Sequence, residues 1–152
     1  MAEASKKAGM KFGLLYEMQR PSPDGVVDET SLVEETIEQC VLADKMGYDY
    51  LWFVEHHFLT TFSGSSSPEV ILGALSRLTK QIRLGFGVVV LPHDHPIRVA
   101  EKVAMVDQIS GGRVDFGTGR SSAYEQLGFE VDPRNTRDIW EESLRMVPEI
   151  WQ

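Results

Sequence analysis

All four histidines of this 152-residue chain fall just behind apolar, strand-like runs. Glu55-His56-His57 closes the run Tyr50-Leu-Trp-Phe-Val54, while His93 and His95 follow Ile82–Leu91, flanked by Pro92 and Pro96. Arg120-Ser121-Ser122 comes just after the short run Val114–Gly117, and Glu17 just after Lys11–Tyr16. Imidazoles beside carboxylates can hold and move protons near neutral pH. An arginine beside hydroxyls and loop amides can hold a phosphate by charge-assisted hydrogen bonds.

Two other chemistries use the same residues less well. His93 and His95, with Asp94, Glu55, His56 and His57, supply enough ligands for zinc or iron. Adjacent histidines such as His56 and His57 rarely chelate one ion together, so no resident metal is expected. Gly117-Thr-Gly-Arg-Ser-Ser matches a dinucleotide-binding glycine pattern only in part, and Asp138, the acid about 20 residues on, falls in a helical pattern instead of ending the next strand. Plainer roles stand beside each candidate. His93 and His95 could be turn and cap residues, His57 could simply be packed, and Arg137-Asp138 with Glu141-Glu142 reads as a solvated helix face.

The elements that position these groups alternate regularly. Lys11–Tyr16 is the first strand, and Glu17–Glu29, with two prolines, is a loop. Ser31 to Glu34 has capping-box form and opens a helix that ends at Gly47. The strand from Tyr50 follows, then a Ser/Gly-rich loop from 60 to 67. Ser67-Pro68-Glu69 starts a second helix that runs to about Lys80. Ile82–Leu91 is the third strand, and its near-continuous apolar character fits burial on both faces. Pro96 opens a third helix to Ser110, and Gly111-Gly112 stops it. Val114–Gly117 is the fourth strand, 118–132 a polar loop, and Thr136–Trp151 the fourth helix. Strands alternating with helices, without hairpin signals, give a parallel α/β array of (βα)4 form with right-handed crossovers. In such an array, Glu17, the histidines and Arg120 all share the C-terminal strand edge, where α/β proteins build their sites.

Composition narrows the partners. A formal charge of −8 argues against nucleic acid or an anionic membrane surface. The single cysteine, Cys40, fits a reducing cytoplasm and a buried, unreactive position. No apolar run approaches the ~20 residues of a membrane span. Residues 1–9 have no apolar segment behind their lysines and read as a disordered tail or an added extension, with the domain starting at Met10.

Four motifs, in order, resemble the bacterial luciferase-like flavin monooxygenases. They are Phe12-Gly13, Glu55-His56-His57-Phe58, Leu91-Pro-His-Asp-His-Pro-Ile-Arg98 with Ala100-Glu101, and Asp107-Gln-Ile-Ser-Gly-Gly-Arg113 followed by Gly117-Thr-Gly-Arg120. The resemblance runs from Met10 to the end of the chain. It implies a TIM (β/α)8 barrel that binds FMN at its C-terminal face. Reduced FMN would arrive as a co-substrate from a flavin reductase and, with O2, oxidise a small organic substrate such as an aldehyde. A deazaflavin is the less favoured cofactor.

Carried over by position, the resemblance implies that His56 would be the catalytic histidine, that His57 would support it and that Glu55 would orient the pair. Arg120, with Ser121 and Ser122, would bind the flavin phosphate. The Gly87-Val88 bond would be a non-proline cis peptide beneath the flavin ring. Non-catalytic subunits of the family have an altered Glu-His-His and lack the arginine, so this chain resembles the catalytic type. A complete barrel takes ~250 residues, whereas four βα units are present here. The expectation is therefore the N-terminal half of a barrel, truncated or needing a complementary half-barrel or a second copy, and inactive as an isolated monomer. A non-catalytic half-barrel subunit or flavin-binding assembly module is the alternative, and a metallohydrolase a distant third.

Overall fold

A computed structural model describes residues 9–19, 28–59 and 61–152. The tail reading for residues 1–9, except at Gly9, and most of the loop reading for 17–29 fall outside them. The described elements are β1 (Gly13–Tyr16), α1 (Glu29–Met46), β2 (Tyr50–Phe53), α2 (Pro68–Leu78), β3 (Arg83–Val90), a 3-10 turn (Leu91–His93), α3 (Pro96–Ser110), β4 (Val114–Gly119), α4 (Ala123–Gly128) and α5 (Thr136–Ile150). The strands pair in parallel in the order β1-β2-β3-β4, with Leu15, Trp52, Gly85 and Asp115 in one cross-sheet row. Every crossover carries a helix, and the architecture is the expected half of a (β/α)8 barrel.

Alternation along the strands separates two faces. Leu51, Phe53, Leu84 and Phe86 are fully buried in a core that also takes Cys40 and Ala43 from α1, Leu72 and Leu75 from α2, Val99 and Val103 from α3, and Val147 from α5. The opposite face is open. Leu15 is 61% exposed there. Along its row, the Trp52 indole lies across Gly85 so closely that a β-carbon at Gly85 would overlap it. The Arg83–Asp115 ion pair, 2.7 Å, occupies the same face. Burial on both faces, expected for the third strand, is thus only partial: Arg83, Gly87 and Val88 are half-buried.

Most helix ends follow their signals. Gly47 ends α1 at φ 84° and Gly111 ends α3 at φ 75°, conformations that glycine adopts without steric cost. Pro68 and Pro96 open α2 and α3. One start moves. The expected Ser31–Glu34 capping box does not form, because Asp28, three residues earlier, caps α1 by accepting from the Thr30 amide at 3.1 Å and the Ser31 hydroxyl at 2.5 Å. A carboxylate at the N-cap also favours the positive end of the helix.

The largest departure lies between 118 and 132. That segment is not simply a polar loop: β4 continues to Gly119, and α4 follows, opened by a reciprocal capping box between Ser122 and Glu125. No helix among the described residues is long and apolar enough to cross a membrane.

Two polar staples hold the array together below the site. Asp44 on α1 accepts the backbone N–H groups of Lys80, Gln81 and Ile82 at 3.0, 2.9 and 2.8 Å. Arg113 donates to the carbonyls of Ser110, Ile82, Ser76 and Thr79. The Asp107–Arg113 motif is therefore structural: Arg113 ties the α2 end and the start of β3 to the α3–β4 turn, and Asp107 accepts the Val114 amide.

Candidate active site

Two loops meet at the C-terminal strand edge. The first leaves β2 as Glu55-His56-His57, with the His56 amide held by the Ser65 carbonyl at 2.8 Å. Glu55 faces β3: Oε2 accepts the Val90 amide at 2.9 Å and Oε1 lies 3.1 Å from His57 Nε2. The second loop leaves β4 as Arg120-Ser121-Ser122 and enters α4.

Glu125 joins the two loops. It is 1% exposed, and its Oε1 accepts the His57 amide at 2.7 Å and lies 3.1 Å from His56 Nδ1. Its Oε2 accepts hydrogen bonds from the hydroxyls of Ser121 and Ser122, the latter at 3.0 Å. Burial alone would push the Glu125 carboxyl up, but the donors from Ser121, His57, His56 and Ser122 outweigh it and hold it down at about 2. It is therefore a carboxylate at neutral pH, and His56 Nδ1 bears the hydrogen that faces it. His56 Nε2 then points at a second carboxylate, Glu17 Oε2, 3.6 Å away. That oxygen is buried and has no hydrogen-bond partner, so the separation is an ion-pair distance longer than a hydrogen bond. Phe62 packs edge-on against the His56 ring at 5.7 Å.

The expected site residues do not all converge. Glu55, His56, His57, Ser121 and Ser122 belong to one hydrogen-bonded cluster, with Glu125 as its hub. Ser121 and Ser122 spend their hydroxyl hydrogens on Glu125, which leaves Arg120 as the stronger phosphate candidate. Its side chain is exposed and has no hydrogen-bond or ion-pair partner among the described residues. The Gly87-Val88 bond is cis, and it sits where the β3–β4 register shifts between Phe86 and Val89.

The two histidines after β3 part company. His95 caps α3, its Nδ1 accepting the Ile97 amide at 3.2 Å. His93 turns toward His57 instead, and burial pushes its pKa down. Glu125 escaped the sequence reading, although Ser122-Ala-Tyr-Glu125 carried the Ser-x-x-Glu signature that reveals it.

A flavin fits this edge on two observations. The Arg120 guanidinium, unpaired among the described residues, is available for a phosphate. The sheet face beside the cis bond is open, with Leu15 exposed and Gly87 and Val88 half-buried, so a flat ring has a surface to lie on, although the Trp52 indole already covers Gly85.

Fold and site together define a parallel α/β half-barrel with an acid–base cluster at the C-terminal ends of its strands. The family described as luciferase-like monooxygenase matches residues 10–152, and the chain belongs to it. It is 34% identical over 146 residues to the oxygenase component of the flavin-dependent trigonelline monooxygenase of Acinetobacter baylyi, covering 94% of this chain and 40% of that protein. Among solved structures, the monooxygenase RslO1 of Streptomyces bottropensis superposes with TM-score 0.86 at 32% identity, over 93% of this chain and 43% of that one. The oxygenating constituent of 3,6-diketocamphane monooxygenase from Pseudomonas putida, in complex with FMN, gives 0.85 at 25%, over 94% and 40%. An F420-dependent secondary alcohol dehydrogenase shares the fold at 0.71 and 19% identity, over 93% and 42%. The chain thus spans less than half the length of these proteins.

Proposed function

We propose that this chain supplies the N-terminal, catalytic half of a flavin-dependent monooxygenase that oxidises a small organic substrate such as an aldehyde, with reduced FMN and O2 as co-substrates. The observation that carries the proposal is His56 suspended between two carboxylates, Glu125 at 3.1 Å and Glu17 at 3.6 Å, at a strand edge a flavin fits. Reduced FMN would supply the oxygen chemistry. Arg120 would hold its phosphate, and the open sheet face at Gly87-Val88 would hold its ring.

The protein's own part is proton control. Glu125 fixes the His56 tautomer, so Nε2 is the atom that accepts or returns a proton, with Glu17 beside it. Glu55 orients His57 through Nε2, and both histidines are anchored to the same buried carboxylate. FMN is favoured over a deazaflavin by the FMN complex of the camphane enzyme, which is closer in sequence than the F420 protein. A flavin reductase is the proposed partner, since the trigonelline relative is named as an oxygenase component.

The open sheet face supports the alternative reading that the chain works as one module of an assembly. One assay separates the two. The chain is given chemically reduced FMN and an aldehyde, alone and with candidate complementary halves, while aldehyde oxidation and flavin binding are recorded. Turnover that falls by roughly 10²–10⁴-fold in His56→Ala, the span of general acid–base catalysis, supports the enzyme. Flavin binding without turnover in any combination supports the module.

A further inference from the structure

His93 is used by nothing described so far. Its ring stacks on Phe129 at 4.4 Å and meets His57 edge-on at 5.8 Å. Both ring nitrogens are shut off from solvent, and neither has a hydrogen-bond partner. Leaving a buried polar group unsatisfied is destabilising, so the position calls for something that binds imidazole nitrogen.

The neighbours indicate what that is. One ligand atom from each of Glu55, His57 and His93 lies within 4.8 Å of the other two. A four-coordinate zinc-type ion, with bonds of about 2.0–2.2 Å, places its ligand atoms roughly 3.3–3.6 Å apart. A contraction of at most about 1.2–1.5 Å from the 4.8 Å limit would close the set. We propose that Glu55, His57 and His93 bind one divalent transition-metal ion of zinc type, with a solvent molecule or added ligand completing its coordination.

Two imidazoles and a carboxylate are the donor mixture such ions prefer over magnesium or calcium. The carboxylate is already oriented from behind by the Val90 amide on Oε2, at 2.9 Å, as carboxylate ligands commonly are. The objection raised by adjacent histidines disappears in the structure, because His56 faces Glu125 and Glu17 while His93 takes its place beside His57. His95 is occupied in capping α3. The nearby Lys102 ammonium is paired with Glu69 at 3.3 Å and Asp94 at 3.1 Å. The ion would displace the His57–Glu55 hydrogen bond and so compete with the arrangement that orients His57.

The test uses the whole chain, stripped with a chelator, then titrated with Zn2+ by calorimetry and with Co2+ by visible absorption. The expected result is one ion per chain and the intense d–d bands of low-coordinate Co2+. His93→Asn should weaken binding by more than the ~10–100-fold that loss of a merely supporting partner costs. His95→Asn, which removes an imidazole two positions away, should leave binding unchanged. Equal affinity in the parent and in His93→Asn would overturn the proposal. So would a Co2+ spectrum that stays weak and octahedral, which the unmodified chain reports even if the variant fails to fold.

Discussion

A single buried carboxylate organises the candidate site. Glu125 is ionised because Ser121, His57, His56 and Ser122 all donate to it, and the same side chain closes the capping box that opens α4. Glu125→Gln should therefore lower turnover through His56 by roughly 10²–10⁴-fold, with KM for the aldehyde little changed and the far-UV circular dichroism intact. A matching rise in KM would mean that Glu125 shapes the substrate pocket instead. Arg120 makes the complementary prediction. Its replacement by alanine should weaken reduced-FMN binding by about 1.5–3 kcal/mol, the range for a hydrogen bond to a charged group. Riboflavin, which lacks the phosphate, should be nearly indifferent in the same fluorescence titration.

At the level of elements, the punctuation was legible and the polar segments were not. Pro68, Pro96, Gly47 and Gly111 each act through local backbone chemistry, so their helices start or stop where the sequence says. The six-residue α4 has too short an apolar pattern to register as a helix. Its carboxylate matters only because a loop 68 residues earlier folds against it, which is tertiary information. His93 and His95 are alike in sequence, and the 3-10 turn Leu91–His93 decides which of them faces the site. The motifs resembling the luciferase family placed Glu55, His56 and His57 at the C-terminal strand edge, and the cis Gly87-Val88 bond that the resemblance implied lies inside β3. They did not distinguish chemistry from scaffolding in Asp107–Arg113.

Asp44 offers a test of that scaffolding. Burial would push its carboxyl up, but the amides of Ile82, Gln81 and Lys80, with Arg113 nearby, hold it below the usual carboxylate range. A lowered folded-state pKa means the stabilisation is complete above the unfolded value and is lost as pH falls through the folded one. Asp44→Asn should cost about 1.5–3 kcal/mol in urea unfolding at neutral pH. The gap to the parent should close on acidification, and a gap independent of pH would contradict the assignment.

For the molecule as a whole, one face of the sheet is sealed by helices and the other is not. Among the described residues, β1 and β4 each leave one edge unpaired in the four-stranded sheet, and Leu15 and Phe12 are 61% and 58% exposed. Unpaired edges and exposed apolar surface favour association. We propose that further strands, from a longer chain, a complementary half or a second copy, cover this face. Leu15→Glu should reduce concentration-dependent association in sedimentation velocity while changing stability by no more than about 0.5 kcal/mol, as expected of a surface position. Unchanged association would place the contact elsewhere.

The hydrogen bond from the His57 amide to Glu125 has a spectroscopic consequence. An N–H 2.7 Å from a buried carboxylate should resonate far downfield and exchange with solvent slowly. Its acceptor sits on α4, beyond β4, so the signal survives only while that short helix is docked. One amide resonance would then report, without any substrate, whether the β2 and β4 loops are in register, and how adding flavin phosphate or Zn2+ alters that state.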